Sequence, residues 1–278
     1  MLADNLLIDK KNIKIITYNL IQDCSVWPDI EIRHPTEYFT AADRFEVPVN
    51  KDIQKHFGLF VGTSRWHRLY IASTMYGLHK DKTMMSFWQH HLNKDLPANL
   101  RMDDVMLKDA NETLRKHMFD FAKHLPLHLD EEDKKINDNK GADITRGDWE
   151  TPYEILTYYN RIFLDIVCET WHEGECFLPN EKTGRPIIAK TPFIAYAGRG
   201  FLGNLKKIGF KTFDKWWSEE YDNYEGVQRI QRMLLQIKNI SSQPIENLYR
   251  MYNDMQPVLE HNYKLIKTLT PSKMLEIL

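Results

Sequence analysis

The chain has 278 residues, with 37 Lys and Arg against 39 Asp and Glu (a formal net charge of −2) and 42% hydrophobic residues. This is the composition of a folded globular protein, which excludes a disordered or low-complexity chain and gives no basis for indiscriminate capture of nucleic acid. Three cysteines with no CxxC spacing exclude a disulfide framework and point to reduced thiols.

The first residues lack a signal-peptide core, and no apolar run approaches membrane-spanning length. A cytoplasmic protein without a membrane span is therefore expected. Ile13 to Leu20 alternates as a strand, and the following segment to Asn50 is proline-containing and loop-rich. His56 to Gly62 reads as a strand ending at a glycine. Ser64 is placed to cap a helix whose apolar positions are Leu69, Ile71, Ala72, Met75 and Tyr76. Thr83 to Trp88 is the next strand, which completes a strand–helix–strand unit.

Asp109 to His124 has helical spacing, and the acidic and basic run from Asp130 to Lys135 reads as an exposed loop. Tyr153 to Ile162 is again helical and leads into the most patterned part of the chain. There Phe163 to Cys168 is a strand ending at Glu169, followed by a polar loop and a helix from Glu181 to Ala189. Pro192 to Ala197 is a second strand, closed by Gly198-Arg199-Gly200, and Phe201 to Ile208 is helical. Phe210 to Phe213 is expected as a third strand ending at Asp214. Two helices, Tyr224 to Ile240 and Ile245 to Leu269, close the chain, the last expected to brace the N-terminal part. Alternating strands and helices with short connections give an α/β fold with a parallel sheet, and ligands in such sheets sit at the carboxyl ends of the strands.

The polar residues at those ends are the candidate site. Glu181 and Lys182 open a helix, where backbone N–H groups and a lysine attract anions and a glutamate accepts from sugar hydroxyls. The same pair also fits a solvated helix start. Arg65 and Arg68 lie three apart on the earlier helix, and their guanidinium forks suit a diphosphate; two surface arginines are the alternative. Glu169 fits either a cap or a ligand contact, and Gly198 allows close approach of backbone to a ligand. His67 reads as structural, Cys168 as core packing, and Trp216-Trp217 as one ring in and one partly out. His172, Glu173 and Glu175 match no metal-ligand spacing and read as a hydrated loop.

The run FLDIVCET…FLPNEKTGRPIIAKTPFIAYAGRGFLGNLKKIGFKTFDKWWSEEYD resembles the donor-binding half of a glycosyltransferase family common in bacteriophages and some bacteria. That family shows a strand ending in Glu-Thr, a Thr-Glu-Lys-Thr-Trp-(Lys/Arg)-Pro helix start, a Pro-Phe-Ile strand and Leu-Gly-Phe-Lys-Thr-Phe. The segment VGTSRWHRLYIASTMYGL is similar to its upstream Gly-x-x-Arg-x-His-Arg helix, and a more distant likeness is to the α1,3-fucosyltransferases. Here Asn180 stands for the family's threonine, Gly184 for its tryptophan, and Thr63-Ser64 for its Arg-Pro.

The resemblance implies two Rossmann-like domains facing across a cleft, the GT-B arrangement. A reduced acceptor-side domain would span residues 1–145 and a donor-binding domain residues 146–278. It implies transfer of a sugar, with inversion, from a nucleotide-diphosphate donor to an acceptor hydroxyl on a glycan, a protein or a modified DNA base. Glu181 would hold the ribose, Lys182 and Arg65 or Arg68 the phosphates, and Glu169 would line the donor sugar. With those cations on the leaving group, no metal or other cofactor is expected. The base would come from the N-terminal half, with His34, Glu37 and Asp29 as candidates. A phage enzyme would work in the host cytoplasm. The alternatives are a glycosyltransferase of hydroxymethylated pyrimidines in phage DNA and a nucleotide-sugar-binding protein without turnover.

Overall fold

The computed structural model describes residues 14–16, 31–33, 50–63, 65–90, 112–135 and 153–270. Two three-residue strands, β1 (Lys14–Ile16) and β2 (Glu31–Arg33), pair in parallel. Among the described residues the main sheet has four strands: β3 (Lys55–Thr63), β4 (Thr83–His90), β5 (Ile162–Cys168) and β6 (Phe193–Tyr196). Their order is β4-β3-β5-β6, and every pairing is parallel. Strands buried on both sides read as continuous apolar runs, and all seven residues of β5 are buried. Asp165 is the charged exception in that run.

Helix α1 (Trp66–His79) carries the chain from β3 outward to β4. Helices α2 (Glu112–Ala122) and α3 (Tyr153–Tyr158) precede β5, and α4 (Glu181–Ile188) carries it outward to β6 on the other side. The two crossovers leave adjacent strands in opposite directions. Because parallel crossovers share one hand, α1 and α4 lie on opposite faces of the sheet. After α5 (Phe201–Lys207), the long helices α6 (Gly226–Ser241) and α7 (Ile245–Thr268) complete the layers. Helix α1 packs on α2 and α6, whereas α4 packs on α7, which also reaches β5.

The strand–helix–strand units around residues 55–90 and 162–196 belong to one sheet, because β3 pairs with β5 through Phe57 and Leu164. The expected division between residues 145 and 146 therefore falls between strands that are hydrogen-bonded neighbours. Helix α7 packs on the sheet that holds β5, and its Tyr249 hydroxyl accepts from the Ile53 N–H at 2.8 Å, which ties down the entry to β3.

Two local expectations are corrected. Phe210 to Phe213 is not a strand, although its apolar alternation reads as one. Asn262 of α7 accepts from Lys211 N and donates to Lys211 O, both at 2.8 Å, and so takes the place of a neighbouring strand. Glu219 accepts from Thr212 Oγ1 at 2.6 Å and from Phe213 N at 2.7 Å. Residues 131–135 form a helical turn in place of the exposed loop. Asp133 is fully buried there and accepts from Ser86 Oγ, Trp88 Nε1 and Leu129 N at 2.9–3.1 Å. Beside it, Leu127 exchanges both backbone hydrogen bonds with Phe87 of β4, at 2.9 and 3.0 Å.

Gly198 explains itself by packing. A Cβ there would lie 2.2 Å from Cys176 O, and the Gly198 carbonyl accepts from buried Arg229 at 3.0 Å. The glycine admits another stretch of this chain, where the sequence suggested a ligand. Gly198→Ala is expected to lower stability by on the order of 1–3 kcal/mol, the usual cost of overpacking. Thermal unfolding checks this, and an unchanged melting temperature contradicts it.

Candidate functional site

Strands β3 and β5 are neighbours whose outgoing connections diverge, so their carboxyl ends form the crevice where open α/β sheets bind ligands. The sequence places Arg65 to Arg68 after β3, and Glu169 to Trp171 after β5. The start of α4 completes the rim.

Glu169 is fully buried at the centre. Its N–H donates to Tyr196 O at 2.9 Å, and its carbonyl faces His67 Nε2 at 3.2 Å. Its Oε1 accepts from Thr183 Oγ1 at 2.5 Å and from Asn180 N at 3.4 Å. Burial pushes its carboxyl above the ordinary range, against the opposing charge of Lys182. Glu169 is thus a brace between β5 and α4, and its Oε2 has no hydrogen-bond partner among the described residues. The expected contact with a donor sugar is corrected accordingly, since a side chain with no exposure is reached only after a rearrangement.

Asn180 caps α4 by accepting from Lys182 N at 2.9 Å, a position asparagine fills well. Helix α4 is continuous through Gly184, despite the low helix propensity of glycine. Glu181 and Lys182 are half-buried and ion-paired with each other. Burial pushes the Glu181 carboxyl up, but the charges of Lys182 and Arg185 outweigh it and leave the pKa below its ordinary value. Burial lowers the Lys182 ammonium, against the opposing pull of Glu181.

The two arginines do not share one helical face. Arg65 precedes α1 with extended backbone; it is exposed and makes no side-chain hydrogen bond or ion pair with the described residues. Arg68 is buried and donates from Nη2 to Cys168 O and Thr170 Oγ1, each at 3.2 Å. Burial lowers it to about 10. Arg68 therefore holds the end of β5, and Arg65 is the arginine available to a ligand. Ser64, expected as the cap of α1, and His34, Glu37 and Asp29 lie outside the described residues.

Three features were missed or misread in the sequence. His172 is buried in an aromatic cluster, where a hydrated loop was expected. Its ring centroid lies 3.9 Å from that of His67, 5.8 Å from Trp66 and 5.3 Å from Tyr196. Burial, with Arg65 and Arg68 nearby, lowers His172 to about 4, so the ring is neutral at pH 7. Asp165 lies four residues before Glu169 and so on the same face of the strand. It accepts from Tyr159 Oη at 2.8 Å, and burial pushes its carboxyl up to about 7. Arg185 and Lys51 are the cations that act on it, and Lys51 Nζ itself donates to Tyr159 O and Thr191 Oγ1, both at 2.7 Å. Trp171, unremarked in the sequence, stands exposed beside the crevice.

Trp217 is buried and Trp216 half-buried, as adjacent aromatics usually are. Trp216 Nε1 donates to Asp254 at 2.8 Å, and the neighbouring Lys215 is paired with the same carboxylate at 3.0 Å. Among the described residues no three or more His, Cys, Asp or Glu side chains gather as metal ligands, and no helix is long and apolar enough to cross a membrane. Comparison of the chain with protein-family models, curated proteins and solved structures found no match.

Asp165 gives a pH prediction with a definite sign. Its folded pKa of about 7 lies above the unfolded carboxylate value of roughly 4. The folded state thus keeps a proton that the unfolded state has released, and this contribution to stability is lost as pH rises from about 4 to about 7. Asp165→Asn removes the titration. The variant should gain on the wild type by up to a few kcal/mol across that window, read from denaturant unfolding at each pH. A difference that stays constant with pH contradicts the assignment.

Proposed function

We propose that the chain is a glycosyltransferase that moves a sugar from a nucleotide-diphosphate donor to an acceptor hydroxyl. One observation carries this reading. At the crevice where β3 and β5 diverge, an exposed arginine, the capped start of α4 and a half-buried Glu-Lys pair come to one rim. Cations and helix-start N–H groups suit a diphosphate, and a half-buried carboxylate suits ribose hydroxyls.

In the proposed reaction the acceptor O–H gives its proton to a base as its oxygen attacks the anomeric carbon. The anomeric C–O bond to the diphosphate breaks with inversion, and the diphosphate leaves with the bonding electrons. The negative charge that grows on it is met by Lys182, Arg65 and the α4 start, which is where stabilisation accelerates the step. Arg68 and Glu169 act indirectly, by fixing the end of β5 against α1 and α4. In this reading the described sheet is the donor half of a GT-B arrangement. The acceptor side and the base then come from residues before Asn50, where His34, Glu37 and Asp29 stand. Beside Trp216, Lys215 is paired with Asp254, so this cation lends no support to a DNA acceptor.

Nucleoside diphosphates should raise the melting temperature well beyond the shift given by the nucleosides alone, because ligand binding stabilises by mass action. Equal shifts remove the phosphate assignment. Glu181→Gln should weaken donor binding by about tenfold to a hundredfold, the equivalent of a charge-assisted hydrogen bond of roughly 1.5–3 kcal/mol. Lys182→Ala should depress turnover as well as binding. Wild-type affinity and turnover in both variants would return the α4 start to a solvated surface. A binding protein without turnover would show the thermal shifts but neither transfer nor hydrolysis of the donor.

A further inference from the structure

Four buried side chains close around one another beside the carboxyl ends of β5 and β6. Trp66 and His67 come from the first turn of α1, Tyr196 from the end of β6, and His172 from the loop after β5. Every ring neighbours every other, with centroids from 3.9 Å apart (His67 and His172) to 6.2 Å (Trp66 and Tyr196). The Glu169 carbonyl accepts from His67 Nε2 at 3.2 Å, which puts the ring proton on Nε2 and leaves Nδ1 bare. The Nδ1 atoms of both histidines are buried with no hydrogen-bond partner among the described residues. The loop is anchored at Thr170, which accepts from Arg68 at 3.2 Å, and at Gly174, whose carbonyl accepts from Arg199 N at 2.7 Å. His172 lies midway between those anchors.

A second proton on His67 would sit on Nδ1, without an acceptor. Arg65 and Arg68 at the start of α1 and Arg229 of α6 oppose a positive charge on the pair, as each histidine does on the other. What favours it is backbone: Glu169 O at His67, and its own backbone at His172. Glu173 of the loop, Glu225 before α6 and Cys168 of β5 act on Tyr196 in the same cluster. The Glu169 carboxylate is taken up by Thr183 and Asn180 at the start of α4. A charge buried without a paired partner is costly. We propose that the His67–His172 pair is an acid-sensitive latch on the loop from Thr170 to Gly174: with both rings neutral the loop is closed on α1 and β6, and a proton on either ring releases it. This goes beyond the sugar-transfer reading and does not depend on it. The sign follows from burial, which holds both rings below the ordinary histidine value, His172 at about 4. The released loop therefore binds protons that the closed one lacks, and closure weakens as pH falls from roughly 6.5 toward about 4.

The test is hydrogen exchange in peptides covering residues 169–175 and in α6, at about pH 7 and about pH 5, with each rate divided by its intrinsic value. Returning His172 to water should raise the open fraction of the loop by at least about twentyfold at the lower pH, with α6 unchanged. His172→Phe keeps a ring and removes its titration, and should cut that rise by about tenfold or more. A loop equally protected at both pH values overturns the proposal. An equal rise in α6 does so too, because it marks general unfolding, and so does a full acid rise in His172→Phe. Should that variant fail to fold, the ring titrations of the wild type decide, followed by proton magnetic resonance. A His172 midpoint below about 5.5 supports the latch, and any higher midpoint overturns it.

Discussion

The position of Glu169 is the constraint on which the upper half of the molecule depends. Its backbone joins β5 to β6 and to α1, and its carboxylate joins β5 to the first turn of α4. A buried carboxyl is costly unless its hydrogen bonds are supplied. Here Thr183 and Asn180 supply them to Oε1 alone, and both belong to the start of the helix that the carboxyl steadies. The rim of the crevice is thereby held by buried contacts within the chain itself. Preorganisation of this kind lowers the ordering cost of binding.

Below Glu169, Asp165 on the same face of β5 gathers Tyr159, Arg185 and Lys51 around its buried carboxyl. Apolar residues there would have given a simpler core, since a buried ionic network seldom adds net stability. What the network does is set the charge of Arg185, on α4, against the Asp165 carboxyl of the strand. The Arg185 side chain and the Glu181-Lys182 pair belong to the same short helix. A shift of α4 that exposed Lys182 further would also have to move Arg185 relative to Asp165.

Much of this was legible in the chain because it was local. The apolar runs of β3, β5 and β6, the asparagine at the start of α4 and the glycine-bounded turn after β6 each carry their signal within a few residues. What failed was non-local. Phe210 to Phe213 has the pattern of a strand, but its backbone is satisfied by Asn262, 51 positions later. His172 read as a hydrated loop residue because the ring that buries it belongs to His67, far earlier in the chain. The pairing of Phe57 with Leu164, which merges two expected domains into one sheet, likewise has no signature near either residue. The candidate site was partly legible for the same reason. The α4 start could be named from spacing, whereas the separation of Arg65 from Arg68 depends on where β5 ends.

The bridge between Leu127 and Phe87 has a consequence for the solution behaviour of the protein. Among the described residues β4 is one outer strand of the sheet, and an outer strand offers unpaired N–H and C=O groups to any second chain that meets it. Leu127 occupies the outward-facing donor and acceptor of Phe87, near the middle of that edge. Asp133 keeps the covering segment in place by accepting from Leu129 N together with Ser86 and Trp88 of β4 itself. A single buried carboxylate thus acts as a stopper on the growing end of the sheet. Its loss would free a template for intermolecular strand pairing along β4, on the side of β3 away from the crevice.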